Sequence, residues 1–177
     1  MDWFRKRWYR LQLWLWQRPR SFLGYASQAF QCFCCDFLWS FLVIISWMLF
    51  DFMPDPRPPA PQFFNSANPL ALLLFFPLAF FEEIVFRYLP LGIAISIFQK
   101  QKLGALLRIS AISSISFGLA HGFYLESLYL QGVAGFIYSL FFIKCASGNP
   151  RSHQIPPLLV TTVAHAFHNI SAHLILM

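Results

Sequence analysis

Loops and span ends aside, ionisable side chains interrupt the apolar stretches of this chain at few places: Glu82, Glu83 and Arg87 in FFEEIVFRYLP, His121 in SISFGLAHGF, and His165, His168 and His173 in TTVAHAFHNISAH. A charge near the centre of a bilayer costs roughly 2.5–3.5 kcal/mol even on the gentler insertion scales, so function is the default reading of such residues. Glu83 and Arg87 stand four apart with the acid first, the favourable order for a helical ion pair. A clamp between neighbouring helices is the first reading of that pair, ahead of direct chemistry. Glu82 lies ~100° around the helix from Glu83 and has no cation of its own within a turn. A carboxylate without a partner in a water-poor site suits a proton-accepting base; the alternative is a protonated acid, hydrogen-bonded in helix packing.

Phe117 stands one turn before His121, so ring and imidazole share a face. A lone histidine in an apolar helix is more often a packing residue than a catalyst, and here the company changes that. His165 and Asn169 stack on one face of the last apolar segment. His168 is offset sideways and His173 continues the Asn169 line, both divided evenly between support of a site and interfacial decoration. Helical rise allows Glu82, His121 and His165 to meet between the bilayer midplane and its outer third.

The elements that position these residues are membrane helices. Of 177 residues 58% are hydrophobic and only 11% charged, well beyond a soluble domain. Apolar runs near 37–53, 69–98, 109–123, 130–147 and 156–177 predict about five transmembrane helices, four of them carrying the motifs and forming a core. The fold class is therefore all-α, a polytopic membrane helix bundle. The third run is the weakest, being short and carrying Ser110, Ser113, Ser114 and Ser116, which suit a helix facing neighbours rather than lipid. Three regions follow: a basic, aromatic interfacial arm over 1–35, interrupted at Pro19; a first span and a Pro-rich outer connector, DFMPDPRPPAPQ, over 36–68; and a four-helix core over 69–177. The N-terminus mixes Trp, Arg and Lys without the clean apolar centre of a signal peptide.

Placing the N-terminus in the cytoplasm puts Arg5, Lys6, Arg7, Arg10, Arg18, Arg20, Lys100, Lys102, Arg108, Lys144 and Arg151 on that side and Arg57 alone outside. The formal charge of +6 is thus a topology and lipid-surface signal, not a nucleic-acid footprint. Compact size fits a bacterial inner membrane. Cys32, Cys34 and Cys35, at the cytoplasmic mouth of the first span, read as reduced, small packing residues, with acylation as the alternative. No internal repeat, nucleotide-binding glycine pattern or zinc-finger spacing is present.

In their order and on separate helices, EEIVFR (Glu82, Glu83, Arg87), FGLAH (Phe117, His121) and HAFHN (His165, Asn169) resemble the EExxxR, FxxxH and HxxxN motifs of the CPBP or Abi family, the CAAX-processing and bacteriocin-processing intramembrane endopeptidases. The resemblance covers about 69–177. It implies a glutamate-dependent protease in which Glu82 activates water, His121 positions or polarises it, His165 and Asn169 donate to the oxyanion, and Glu83, Arg87 and Phe117 support the site. No metal or other cofactor is required. The chain departs from the family in offering one clear span before the motif helices, so that substrate entry is built differently or by a second protomer, and in placing Tyr88 where relatives often have a small residue.

Three rivals stand beside this reading. Glutamates and histidines could hold zinc, although the paired HExxH spacing is missing. A membrane scaffold or self-immunity protein could use the polar cluster for helix specificity alone, and a proton-coupled carrier could use it as a relay. The partners expected are the lipid bilayer and a membrane-associated peptide or protein substrate, lipidated or not. The motif helices are expected to form one bundle in which Glu82, His121, His165 and Asn169 line a single cavity, with the N-terminal arm outside it.

Overall fold

The computed structural model describes residues 2–17, 19–50, 69–98, 102–146 and 155–176. The Pro-rich connector, with Arg57, and the basic residues Arg18, Lys100 and Arg151 lie outside the described residues. All the described elements are helical. They run α1 (Asp2–Trp16), α2 (Phe22–Phe50), α3 (Pro69–Glu83), a π-helical stretch π1 (Ile84–Gly92), α4 (Ile93–Phe98), α5 (Leu103–Ala120), α6 (Leu125–Ser127), a second π stretch π2 (Leu128–Gly132), α7 (Val133–Ala146) and α8 (Ile155–Leu176). The chain is a polytopic helical membrane bundle, as its composition predicts.

Among the described residues three segments qualify as spans by length and apolarity: Phe22–Ser46, Leu103–Ala120 and Leu125–Ala146. They account for three of the about five spans expected. The continuous helix from Pro69 to Phe98 carries Glu82, Glu83 and Arg87, and α8 carries its histidines and Asn169. Boundaries shift. Helix α2 begins at Phe22, not near residue 37, and takes in residues that the basic composition assigned to the arm. Pro19 does fall in the break between α1 and α2.

The π1 stretch has a local cause. Pro90 lies inside it and has no amide hydrogen, and in an α-helix its ring would press on the carbonyl four residues back. A wider turn relieves that crowding. The carbonyl in question belongs to Phe86, and Ser113 of α5 donates its hydroxyl to it. One of the serines that made the third apolar run look weak thus supplies the partner that Pro90 cannot. Other serines turn back on their own helices, Ser110 to the Leu106 carbonyl and Ser114 to the Ser110 carbonyl. Their hydroxyls are thereby satisfied within α5, and their small side chains let neighbouring helices approach closely.

Helices α7 and α8 are central. Helix α8 packs on α2, α3 and α7, while α7 packs on α5, α2 and α1. One apolar cluster joins Leu15 of α1, Leu91 of π1, Leu106 of α5, Phe142 of α7 and Leu158 of α8; a second joins Cys32 of α2 with Tyr138 and Phe141 of α7 and Ala164 of α8. The N-terminal arm is therefore not held by lipid alone. Its end is anchored by fully buried Leu15, and Trp14 packs edge-on against Phe141 with the Lys144 ammonium 4.0 Å from its ring.

Candidate active site

Glu83, the last residue of α3, is completely buried, and so is Arg87, one turn on in π1. Arg87 Nη1 lies 3.0 Å from Glu83 Oε1, the ion pair that the four-residue spacing predicts. The approach is off the line of a good hydrogen bond, and none of the guanidinium nitrogens makes one among the described residues. The guanidinium instead lies over two aromatic rings, its carbon 4.2 Å from the Phe117 ring centre and 5.4 Å from that of Tyr138. Gly135 of α7 leaves the space it needs, because a Cβ there would stand 2.7 Å from Arg87 Nη2.

Glu82 points elsewhere, as the ~100° offset requires. Its Oε2 lies 3.5 Å from Nε2 of His165 and 3.9 Å from Nε2 of His121. Three helices thus bring one carboxylate oxygen and two imidazole nitrogens to a common point. The Glu82 and His121 side chains keep 29% and 32% of their exposure whereas His165 keeps 2%, so the cluster has an open edge and a closed back.

Each ring is oriented by its second nitrogen. His121 Nδ1 is 2.9 Å from the carbonyl of Phe117. A carbonyl only accepts, so Nδ1 carries the hydrogen and the neutral ring turns an acceptor toward Glu82. Helix α5 ends at Ala120, and Gly122, with φ of +150°, turns the chain away directly after His121, a backbone conformation that side-chain-bearing residues rarely adopt. His165 Nδ1 is 3.1 Å from Glu83 Oε1, the same oxygen that meets Arg87. With Glu83 ionised beside Arg87, that nitrogen also donates. The Nε2 of His165 then accepts when the ring is neutral and donates only when the ring is charged.

Phe117 is fully buried and meets both imidazoles, at 4.5 Å from His121 and 5.6 Å from His165, the latter edge-on. Tyr138 also stacks on His165, at 5.0 Å and 27°. Asn169 is half-buried one turn beyond His165 and joins none of these contacts among the described residues. His173 packs its ring against Phe75 of α3, 5.6 Å between centres, apart from the cluster. His168 turns sideways, as its position predicts, with Nδ1 2.9 Å from Asp36 Oδ2. Asp36 is the residue that sequence reasoning missed. It is wholly buried on α2 and accepts a hydrogen bond from the Tyr138 hydroxyl. A lone acid in FCCDFLW carries the signal, but it stands one residue before the apolar run near 37–53, outside the stretches in which ionisable groups single themselves out.

No curated protein and no solved structure matches the chain. A family does. Residues 64–171, more than half of the chain and including all three motifs, match the type II CAAX prenyl endopeptidase Rce1-like family, and the chain belongs to it.

Proposed function

We propose that this protein is an intramembrane endopeptidase that hydrolyses a peptide bond near the terminus of a membrane-associated substrate, with Glu82 as the base that activates water. Membership of the Rce1-like family implies a CAAX-type intramembrane protease. The observation that carries the finer reading is the convergence of the His121 and His165 Nε2 atoms, 3.9 and 3.5 Å away, on one oxygen of Glu82. Such gaps are too long for direct hydrogen bonds and suit a bridging water.

In the proposed reaction Glu82 takes a proton from water as its oxygen bonds to the scissile carbonyl carbon. The carbonyl π electrons move to oxygen, and the tetrahedral intermediate collapses as Glu82 returns the proton to the leaving nitrogen. His121 holds the water through its acceptor nitrogen. The role of His165 is narrower than the motif alone suggests, because one of its nitrogens is engaged by Glu83. It stabilises the oxyanion through Nε2 as an imidazolium, with Glu82 and Glu83 placing carboxylates on both sides of the ring. Asn169 reaches the oxyanion by turning within its half-buried place on α8. Glu83, Arg87 and Phe117 hold the geometry.

The family description makes a prenylated peptide with a CAAX terminus the first substrate to test. Water activation is assigned to Glu82 without a metal. The arm's Arg5, Lys6, Arg7 and Arg10, interleaved with exposed Trp3, Phe4, Trp8 and Tyr9, support an N-terminus at the cytoplasmic headgroup layer. The membrane peptidome of a strain lacking the protein, compared with one carrying Glu82→Gln, tests the assignment. The same uncut species accumulating in both supports a protease; a Glu82→Gln strain indistinguishable from wild type favours a scaffold.

A further inference from the structure

Asp36 has no role in the chemistry above, and α2 lies outside the residues that match the family. Yet it is a carboxylate with no exposed surface, held between three membrane helices. Such a group persists only where partners offset its desolvation. Its Oδ2 accepts from Tyr138 of α7 and stands 2.9 Å from His168 Nδ1 of α8, off the direction of an ideal hydrogen bond, while its Oδ1 is buried with no hydrogen-bond partner among the described residues. The tyrosine is the link to the site. Its ring, also without exposed surface, stacks on His165 at 5.0 Å, in addition to the edge-on contact from Phe117.

His165 has three restraints, then: Glu83 on Nδ1, Phe117 edge-on and Tyr138 stacked. A hydrogen bond at Nδ1 fixes one point of the imidazole but leaves the ring free to tilt about it. The stacked phenol removes that tilt, and only if the phenol itself cannot slide; its anchored hydroxyl provides this. We propose that Asp36 is a positioning residue contributed by α2: through Tyr138 it fixes the plane of the His165 imidazole, so that Nε2 faces Glu82. The proposal rests on the catalytic reading of His165. It makes α2 part of the working enzyme and not simply a membrane anchor. A mere pin between helices would use the same hydrogen bonds, so the test separates the two.

The full-length protein in lipid nanodiscs is assayed with a fluorogenic farnesylated CAAX peptide, and its histidines are followed by 15N NMR of the imidazole rings. Tyr138→Phe keeps the stacked ring and loses the anchor; Asp36→Asn keeps an oxygen that can accept from Tyr138; Asp36→Ala keeps neither charge nor acceptor. Expected are a kcat about tenfold lower for Tyr138→Phe and Asp36→Ala at a KM within about twofold of wild type, since small misplacements tell on the transition state more than on binding. Asp36→Asn recovers most of that loss. The double variant Asp36→Ala, Tyr138→Phe is no slower than either single one, because the two act as a unit. The His165 ring signals shift in Tyr138→Phe while those of His173 do not. A lower melting temperature with kcat per folded molecule and His165 signals both unchanged overturns the proposal. The catalytic reading fails by a different result, an active Glu82→Gln enzyme, and the NMR comparison of His165 and His173 judges the positioning claim even then.

Discussion

Replacing Gly135 by alanine adds one methyl group at the tightest point of the site. Its Cβ would stand 2.7 Å from Arg87 Nη2, 3.0 Å from Phe117 Cδ1 and 3.4 Å from the Ser114 backbone. To reach an ordinary contact the guanidinium must retreat by about 0.7 Å. An arginine at a surface would simply swing aside. This one is wholly buried, with the Phe117 and Tyr138 rings beside it and Glu83 3.0 Å from Nη1, so any retreat is transmitted to the Glu83 carboxylate. Glu83 in turn holds His165 Nδ1. Overpacking of this kind costs about 1–3 kcal/mol, and a displaced His165 lowers the catalytic rate by about ten- to a hundredfold. Gly104 supplies the control, since a Cβ there meets nothing within 4 Å. Gly104→Ala removes a flexible residue from the first turn of α5 and is expected to leave activity unchanged and stability equal or higher by up to about 1 kcal/mol. The assay is thermal unfolding in nanodiscs together with kcat and KM on a farnesylated CAAX peptide. A Gly135→Ala protein that melts and cleaves like wild type refutes the reasoning that Arg87 is confined and that its position governs His165.

Four other perturbations follow from the same geometry. Arg87→Met leaves the Glu83 carboxylate buried without its cation, and a loss of about 3–5 kcal/mol by unfolding titration is expected; wild-type stability would mean that Glu83 is not charged in the fold. Ser113→Ala removes the hydroxyl that serves the Phe86 carbonyl beside Pro90, at a cost of about 1–3 kcal/mol, while Ser116→Ala, on the exposed side of α5, serves as its neutral comparison in the same melt. Asn169→Ala lowers kcat by about a hundredfold or more if the amide reaches the oxyanion; unchanged kcat assigns Asn169 to packing and leaves His165 alone in that role. The same protein, metal-analysed and treated with a chelator, is expected to hold no stoichiometric zinc and to retain its activity, and a loss restored by added zinc would move water activation from Glu82 to a metal.

Spacing along the chain was enough to place the Glu83–Arg87 pair and to orient Glu82 away from it, because both depend only on helical periodicity. It also set Phe117 beneath His121. The approach of Glu82 to His121 and His165 needed more than periodicity, namely three helices at matching depth. The polar residues themselves supplied that information, since burying them apart in a bilayer would cost more than burying them together. What escaped was of two kinds. The π stretches and the start of α2 depend on how a neighbour serves a freed carbonyl or covers an apolar face; the Pro90–Ser113 relation spans two helices and leaves no local pattern. Asp36 and the second nitrogen of His165 escaped for another reason. A sequence names a residue but not which of its atoms is engaged, and the commitment of Nδ1 to Glu83 changes what His165 can donate.

The central claim is that the Glu82 carboxylate moves the proton. The cleavage rate of purified Glu82→Gln on a farnesylated CAAX peptide, at a folded fraction equal to wild type, tests it most directly, because the amide keeps the shape of the side chain and loses only its basicity. A fall of about 10²–10⁴-fold is predicted, the contribution of a positioned base. A rate within a few fold of wild type would contradict the account.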